Sequence, residues 1–142
     1  MSIVFDTNVI LDVLLKRQPF AAVAVRLVAA VERGELIGLV AATTVTTIYY
    51  LTAKALGEPR ARREMGQLLT LFDVAPVNRR VLDLALQSDF EDFEDGVIHA
   101  AATQAGARGI VTRNEVDFVS ATLPIYAPAD LLRMLRAAKG DT

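Results

Sequence analysis

Short apolar runs rich in β-branched residues recur along the chain, and segments with apolar residues at helical spacing separate them. The runs are "SIVF" at the start, then "LIGLVA", "DVAPV", "GIVT" and "PIYA". Strands this short and this apolar are expected where both faces of a sheet are covered. Their alternation with helices predicts a three-layer α/β/α sandwich with a central, mostly parallel sheet. In such sheets ligands collect beyond the carboxyl ends of the strands, so the residues that follow each strand carry the most information about function.

The intervening segments fill in the helices. "DTNVILDVLLKR" puts Val9, Leu11, Val13, Leu14 and Leu15 on a buried side. "QPFAAVAVRLVAAVERGE" reads as a second helix, with Pro19 near its start and Gly34 as its stop. "TTVTTIYYLTAKALG" has residues that favour a strand locally, but its length and alanine-rich end predict a helix. "EPRARREMGQLLTLF", "NRRVLDLALQ" with Asn78 as N-cap, and "PADLLRMLRAA" are the other helices outside the acidic region. "RNEVDF" reads as a loop and "KGDT" as a frayed tail.

At 142 residues the chain has the length of one domain. Residues 1–142 are read as such, with the core over about residues 3–132 and the tail at 139–142. Hydrophobic residues at 53% and charged residues at 23% exclude a disordered or low-complexity chain. No apolar run approaches the ~18 residues of a membrane span. The apolar start lacks a basic leader and carries Asp6 and Asp12, unlike a signal peptide. With no cysteine, disulfides and thiolate metal sites are excluded, and a cytoplasmic protein without membrane association is expected. The net charge of −2 gives no global attraction to nucleic acid, so a nucleic-acid binder would have to segregate its charge. Lys16 with Arg17, the Arg60, Arg62 and Arg63 group, and Arg79 with Arg80 are local basic clusters. The ordinary reading of each is a solvated helix face.

Negative charge is crowded in one place. "SDFEDFED", Ser88 to Asp95, contains Asp89, Glu91, Asp92, Glu94 and Asp95 with no basic residue, and it opens the apolar helix "GVIHAAATQAG". Ser88 and Glu91 fit a capping box, so the helix begins near Ser88 or, alternatively, near Asp92. From the early start Asp95 lies beyond the first turn, where the macrodipole has faded. An acid leading a buried helix is costly to desolvate unless something positive faces it. Asp92, Asp95 and His99 share one helix face by their spacing. His99, the only histidine, reads more readily as a packed residue than as a ligand.

Two more acids follow strands. Asp6 ends the first run, where it could cap the next helix or point into the crevice over the sheet. Asp117 lies after "GIVT", in a segment that is also ordinary turn chemistry. In a parallel sheet Asp6, Asp95 and Asp117 can converge. Three clustered carboxylates raise one another's pKa, and a divalent cation removes the repulsion. Oxygen-only ligands suit Mg²⁺ or Mn²⁺, and such ions activate water and clamp phosphate oxygens, the chemistry of phosphodiester hydrolysis. The chain has no glycine-rich phosphate loop, and His99 has no serine at motif spacing for a hydrolase triad.

"IVFDTNVILDVLL", "DFEDGVIHAAA" and "IVTRNEVDF" together resemble the motifs of PIN domains of the VapC-like toxin nuclease type, in order and spacing, from Ile3 to about Leu132. The resemblance implies a compact α/β/α fold, Mg²⁺- or Mn²⁺-dependent ribonuclease activity, a homodimer, an RNA substrate and a small antitoxin partner. By motif, Asp6, Asp95 and Asp117 match the metal-binding acids. Thr7, Asn8, Thr112 and Asn114 match the polar residues that support them. RNA backbone contacts would come from Arg17, Arg79, Arg80 or Arg113. One departure stands out: Thr47 falls where the family has a Glu, and Asp92 or Glu94 could supply the missing charge. That loss supports a rival reading, a PIN-like module that binds RNA or protein without catalysis. A phosphoacceptor switch is a second rival, but it needs a Lys late in the sheet, and the only late one, Lys139, falls in the tail.

Overall fold

The computed structural model describes residues 1–140. Its sheet has five strands in the order β3-β2-β1-β4-β5: β1 Ser2–Phe5, β2 Ile37–Ala41, β3 Asp73–Ala75, β4 Gly109–Val111 and β5 Ile125–Tyr126. Every pairing is parallel, with Val4 aligned to Leu39 on one side and to Ile110 on the other. Seven helices cover the sheet: α1 Thr7–Leu14, α2 Ala21–Glu32, α3 Ala42–Leu56, α4 Glu58–Leu71, α5 Arg79–Gln87, α6 Phe93–Gln104 and α7 Pro128–Ala138.

Strand alternation sorts the core into two layers. Ile3 and Phe5 face a cluster built from α1, α2, α4 and α7, with Leu27, Leu68 and Leu131. Val4 faces the opposite way, toward Val81 of α5 and Val97, Ile98 and Ala101 of α6. The predicted sandwich is therefore present, and its sheet is wholly parallel. Phe5 meets Phe72 edge-on at 5.0 Å. Gly38 is required there, because a Cβ on it would lie 2.5 Å from the Phe72 ring.

Several boundaries differ from the sequence reading for local reasons. The first helix stops at Leu14 because Lys16 takes a positive φ of 51°, and the second begins at Ala21 instead of Gln18. The ambiguous threonine-rich segment is helical, as α3. Asn78 caps α5, its Oδ1 accepting from the Val81 amide at 3.1 Å. "RNEVDF" is not all loop, since Glu115–Phe118 form a 3₁₀ turn. The capping box at Ser88 does not form. Ser88 ends α5, its hydroxyl donating to the Ala85 carbonyl at 2.7 Å, and Asp92 caps α6 by accepting from the Asp95 amide at 3.1 Å. Lys139 is not frayed either: it closes α7, and its Nζ meets Glu35 Oε1 at 2.6 Å. Asp141 and Thr142 of the expected tail lie outside the described residues.

Candidate active site

The sheet order turns at β1 and β4, and their carboxyl ends open into a cleft of ≈ 330 Å³. Asp6, Thr47, Asp92, Glu94, Asp95 and Asp117 all line it, together with Asn114 and Arg17. Three separate elements thus bring the predicted acids to one place: the β1 end, the α6 start and the 3₁₀ turn after β4.

Asp6 is buried, and a dense set of donors fixes its orientation. Its Oδ1 accepts from the Thr7 amide at 2.8 Å. Its Oδ2 accepts from the Thr112 hydroxyl at 2.7 Å and from Asn8 Nδ2 at 3.3 Å. Asn8 in turn accepts from the Arg113 amide, and Thr112 Oγ1 accepts from the Asn114 amide at 3.0 Å. Thr7, Asn8, Thr112 and Asn114 therefore tie β1 and β4 to one carboxylate. Asp6 does occupy the N-cap position of α1, but Thr7 N–H is the only helix amide its side chain accepts from. Burial raises its pKa; the hydrogen bonds from Thr112 and Thr7 lower it, and the charges of Asp117 and Asp92 raise it further.

Asp95 sits in the first turn of α6, so the macrodipole does reach it, contrary to the early-start expectation. The dipole does not prevail. Desolvation, then the negative charges of Asp6, Asp92, Asp117 and Glu94, push its pKa up to about 7. Asp117 and Asp92 are exposed on the cleft rim. Thr47 projects from α3 into the same cleft, and its hydroxyl lies 3.5 Å from Glu94 Oε1. Glu94 thus occupies the neighbourhood of the position where a longer acid on α3 would reach. His99 does not line the cleft: its ring packs on Phe90 at 5.1 Å, and Nε2 accepts from the Thr122 amide at 3.0 Å. Desolvation lowers its pKa.

The donor set is all oxygen, acidic and partly dry, which fits a hard divalent cation. Thr7 Oγ1, on the cleft wall, is buried without a hydrogen-bond partner. Among the described residues, no three acids or histidines stand close enough to grip one ion as the side chains lie.

The sequence reading missed Asp12. Only 1% exposed, it accepts from Arg17 Nε at 2.9 Å and from Arg113 Nε at 2.6 Å and Nη2 at 3.1 Å. The signal was an acid on the apolar side of α1, which must have cationic partners to be buried. This pairing brings Arg17 to the cleft. The other basic clusters behave as solvated faces: Arg60 pairs with Glu64 and Arg79 with Asp83 along their own helices.

The fold is thus a parallel α/β/α sandwich with an acid-lined cleft at its switch point. The family model described as PIN domain matches residues 2–115, and the chain belongs to that family. Solved structures of similar fold include FitAB bound to an IR36 DNA fragment, at 23% identity over 90% of this chain and 95% of that one, TM-score 0.68. A toxin–antitoxin complex from Klebsiella pneumoniae is 22% identical over 89% of this chain and 97% of that one, TM-score 0.66. Mycobacterium tuberculosis VapC20, a Sarcin-Ricin loop cleaving toxin, is 16% identical over 76% of this chain and 86% of that one, TM-score 0.62. A comparison with curated proteins found no match. No helix among the described residues is long and apolar enough to cross a membrane.

Proposed function

We propose that this protein is a Mg²⁺- or Mn²⁺-dependent ribonuclease that acts as the toxin of a toxin–antitoxin pair. The convergence of Asp6, Asp95 and Asp117 on one cleft carries the reading, since nothing in the fold requires three acids to face one another there. Asp6, Asp95 and Asp117 would hold the ion, with Glu94 and Asp92 as further acids. When bound, such an ion polarises phosphate oxygens and lowers the pKa of its water. Thr112, Asn8 and the Thr7 amide fix the Asp6 carboxylate in one orientation. Asn114 on the rim orients water or an RNA hydroxyl. Arg17, held by Asp12, offers the lining its positive charge and receives the RNA phosphate. Arg113, beside it, is the second candidate for RNA; Arg79 and Arg80 lie on α5 and do not line the cleft.

The toxin role rests on family membership and on the structural neighbours, among them a toxin–antitoxin complex and a Sarcin-Ricin loop cleaving toxin. A small antitoxin, a homodimer and a cytoplasmic location belong to the same reading. A second reading has one observation in its favour: Thr47 puts a hydroxyl in the cleft where the family pattern has a carboxylate. On that reading the cleft binds without cutting. Calorimetric titration with Mn²⁺, alone and with RNA, separates the two. Binding that Asp95→Asn removes supports the nuclease, and absence of binding in both conditions supports the scaffold.

A further inference from the structure

Beside the acid cleft lies a second pocket of ≈ 490 Å³, lined by Pro19, Phe20, Val23, Arg113 and Pro128. Its size is in the range of about 300–1,000 Å³ typical of small-ligand sites. It opens where α2 and α7 begin, at the same carboxyl edge of the sheet as the acids. Neither N-cap residue, Phe20 or Ala127, offers a side-chain hydrogen bond to its helix. The Arg113 guanidinium lies 3.8 Å from the centre of the Phe20 ring, yet Phe20 remains 40% exposed. An aromatic ring of this size left in the open, with a planar cation already stacked on it, is a surface prepared to extend the stack.

The two pockets are joined through one side chain. Asp12 holds Arg17, which lines the acid cleft, and Arg113, which lines the apolar pocket. The two guanidinium groups are therefore adjacent, one facing each pocket. A single-stranded nucleic acid needs this combination: cations along the backbone and a flat surface for an unstacked base. We propose that the Phe20–Arg113 pocket is a nucleobase subsite, taking an unpaired base of the strand whose phosphate lies at Arg17. The inference rests on the ribonuclease reading for its substrate, but not for its geometry. Asp12 is a positioning residue in this arrangement, since it touches neither base nor phosphate.

The test is an abasic scan. A fluorescein-labelled single-stranded RNA is compared with versions in which one base at a time is replaced by an abasic ribose. Binding is measured by anisotropy to the Asp6→Asn protein, so that cleavage does not intervene, with and without Phe20→Ala. Base–aromatic stacking predicts roughly tenfold weaker binding when either partner is removed. At one position, removing the base should weaken binding in the Phe20-containing protein and leave the Phe20→Ala protein unaffected. Phe20→Tyr should restore the dependence, and Phe20→Leu should not. Equal sensitivity with and without Phe20 at every position overturns the subsite, as does a Leu variant that behaves like Tyr. In that case the pocket takes a protein segment or nothing. Cleavage by the parental protein is scored separately: base dependence through Phe20 without cleavage keeps the subsite and refutes the nuclease. Cleavage without that dependence does the reverse.

Discussion

Replacing Asp95 by Asn should stabilise the protein when no divalent ion is present. The carboxyl is forced from its ordinary 3.8 to about 7 by desolvation and by Asp6, Asp92, Asp117 and Glu94. At face value that rise is worth roughly 4 kcal/mol. Asp95 is only half-buried, so water screens the repulsion and about half of that figure, ~2 kcal/mol, is retained. Asn gives up an acid in the first turn of α6, worth about 0.5 kcal/mol there. The expected net gain is about 1.5 kcal/mol, or roughly 5 °C in Tm for a chain of this length. The pH dependence follows from the direction of the shift. A carboxyl with a raised native pKa favours the native state while it is protonated in both states, and that benefit is lost as the pH rises through about 7. In a chelating buffer the advantage of Asp95→Asn should therefore be absent at about pH 4 and complete by about pH 8. Added Mn²⁺ should raise the Tm of the parental protein and leave that of the variant unchanged. Thermal melts followed by far-UV circular dichroism across this range measure all of it. If Asp95→Asn melts below the parental protein at the alkaline end, the carboxylates do not repel one another as argued.

Other expectations are independent of that one. Asp12→Ala should cost about 1–3 kcal/mol, because it removes the charged partner of the partly exposed Arg17 and Arg113; urea melts report it. Thr44 and Thr52 are fully buried on α3 with hydroxyls that have no partner. Thr44→Val, which removes such a hydroxyl at nearly constant shape, should stabilise by about 1 kcal/mol in the same melts. Thr47→Glu places a further carboxylate beside Glu94 and Asp95, and should tighten Mn²⁺ binding by calorimetry while lowering the metal-free Tm. Gly38→Ala should destabilise by about 1–3 kcal/mol, since its Cβ would meet the Phe72 ring.

How far these features were legible depended on their range in sequence. The alternation of short apolar strands with longer helical segments carries over into the sheet almost element by element, because pattern and burial act locally. Convergence of Asp6, Asp95 and Asp117 was also legible, as it follows from acids placed after parallel strands and at a helix start. Competition between neighbouring caps was not: Ser88 and Glu91 spell a capping box, yet Ser88 closes α5, its oxygen accepts from the Phe90 amide, and Asp92 caps α6 instead. Asp12 was overlooked for a different reason. Its partner Arg113 lies on the far side of the chain, and only the closure of β1 against β4 brings the two together. The same closure makes the Phe20 pocket, of which "RQPF" alone gives no sign.

The most direct test of the central claim is strand cleavage of an unstructured RNA by the purified protein with Mn²⁺, then with excess chelator, beside Asp6→Asn. Asn at position 6 can still accept the Thr112 hydroxyl, but its NH2 cannot accept the Thr7 amide, so the variant should fold with a modestly lower Tm. Cleavage by the parental protein that stops with chelator, and no cleavage by a folded Asp6→Asn protein, is the predicted result. Cleavage that persists in chelator, or that Asp6→Asn performs at the parental rate, would contradict the account.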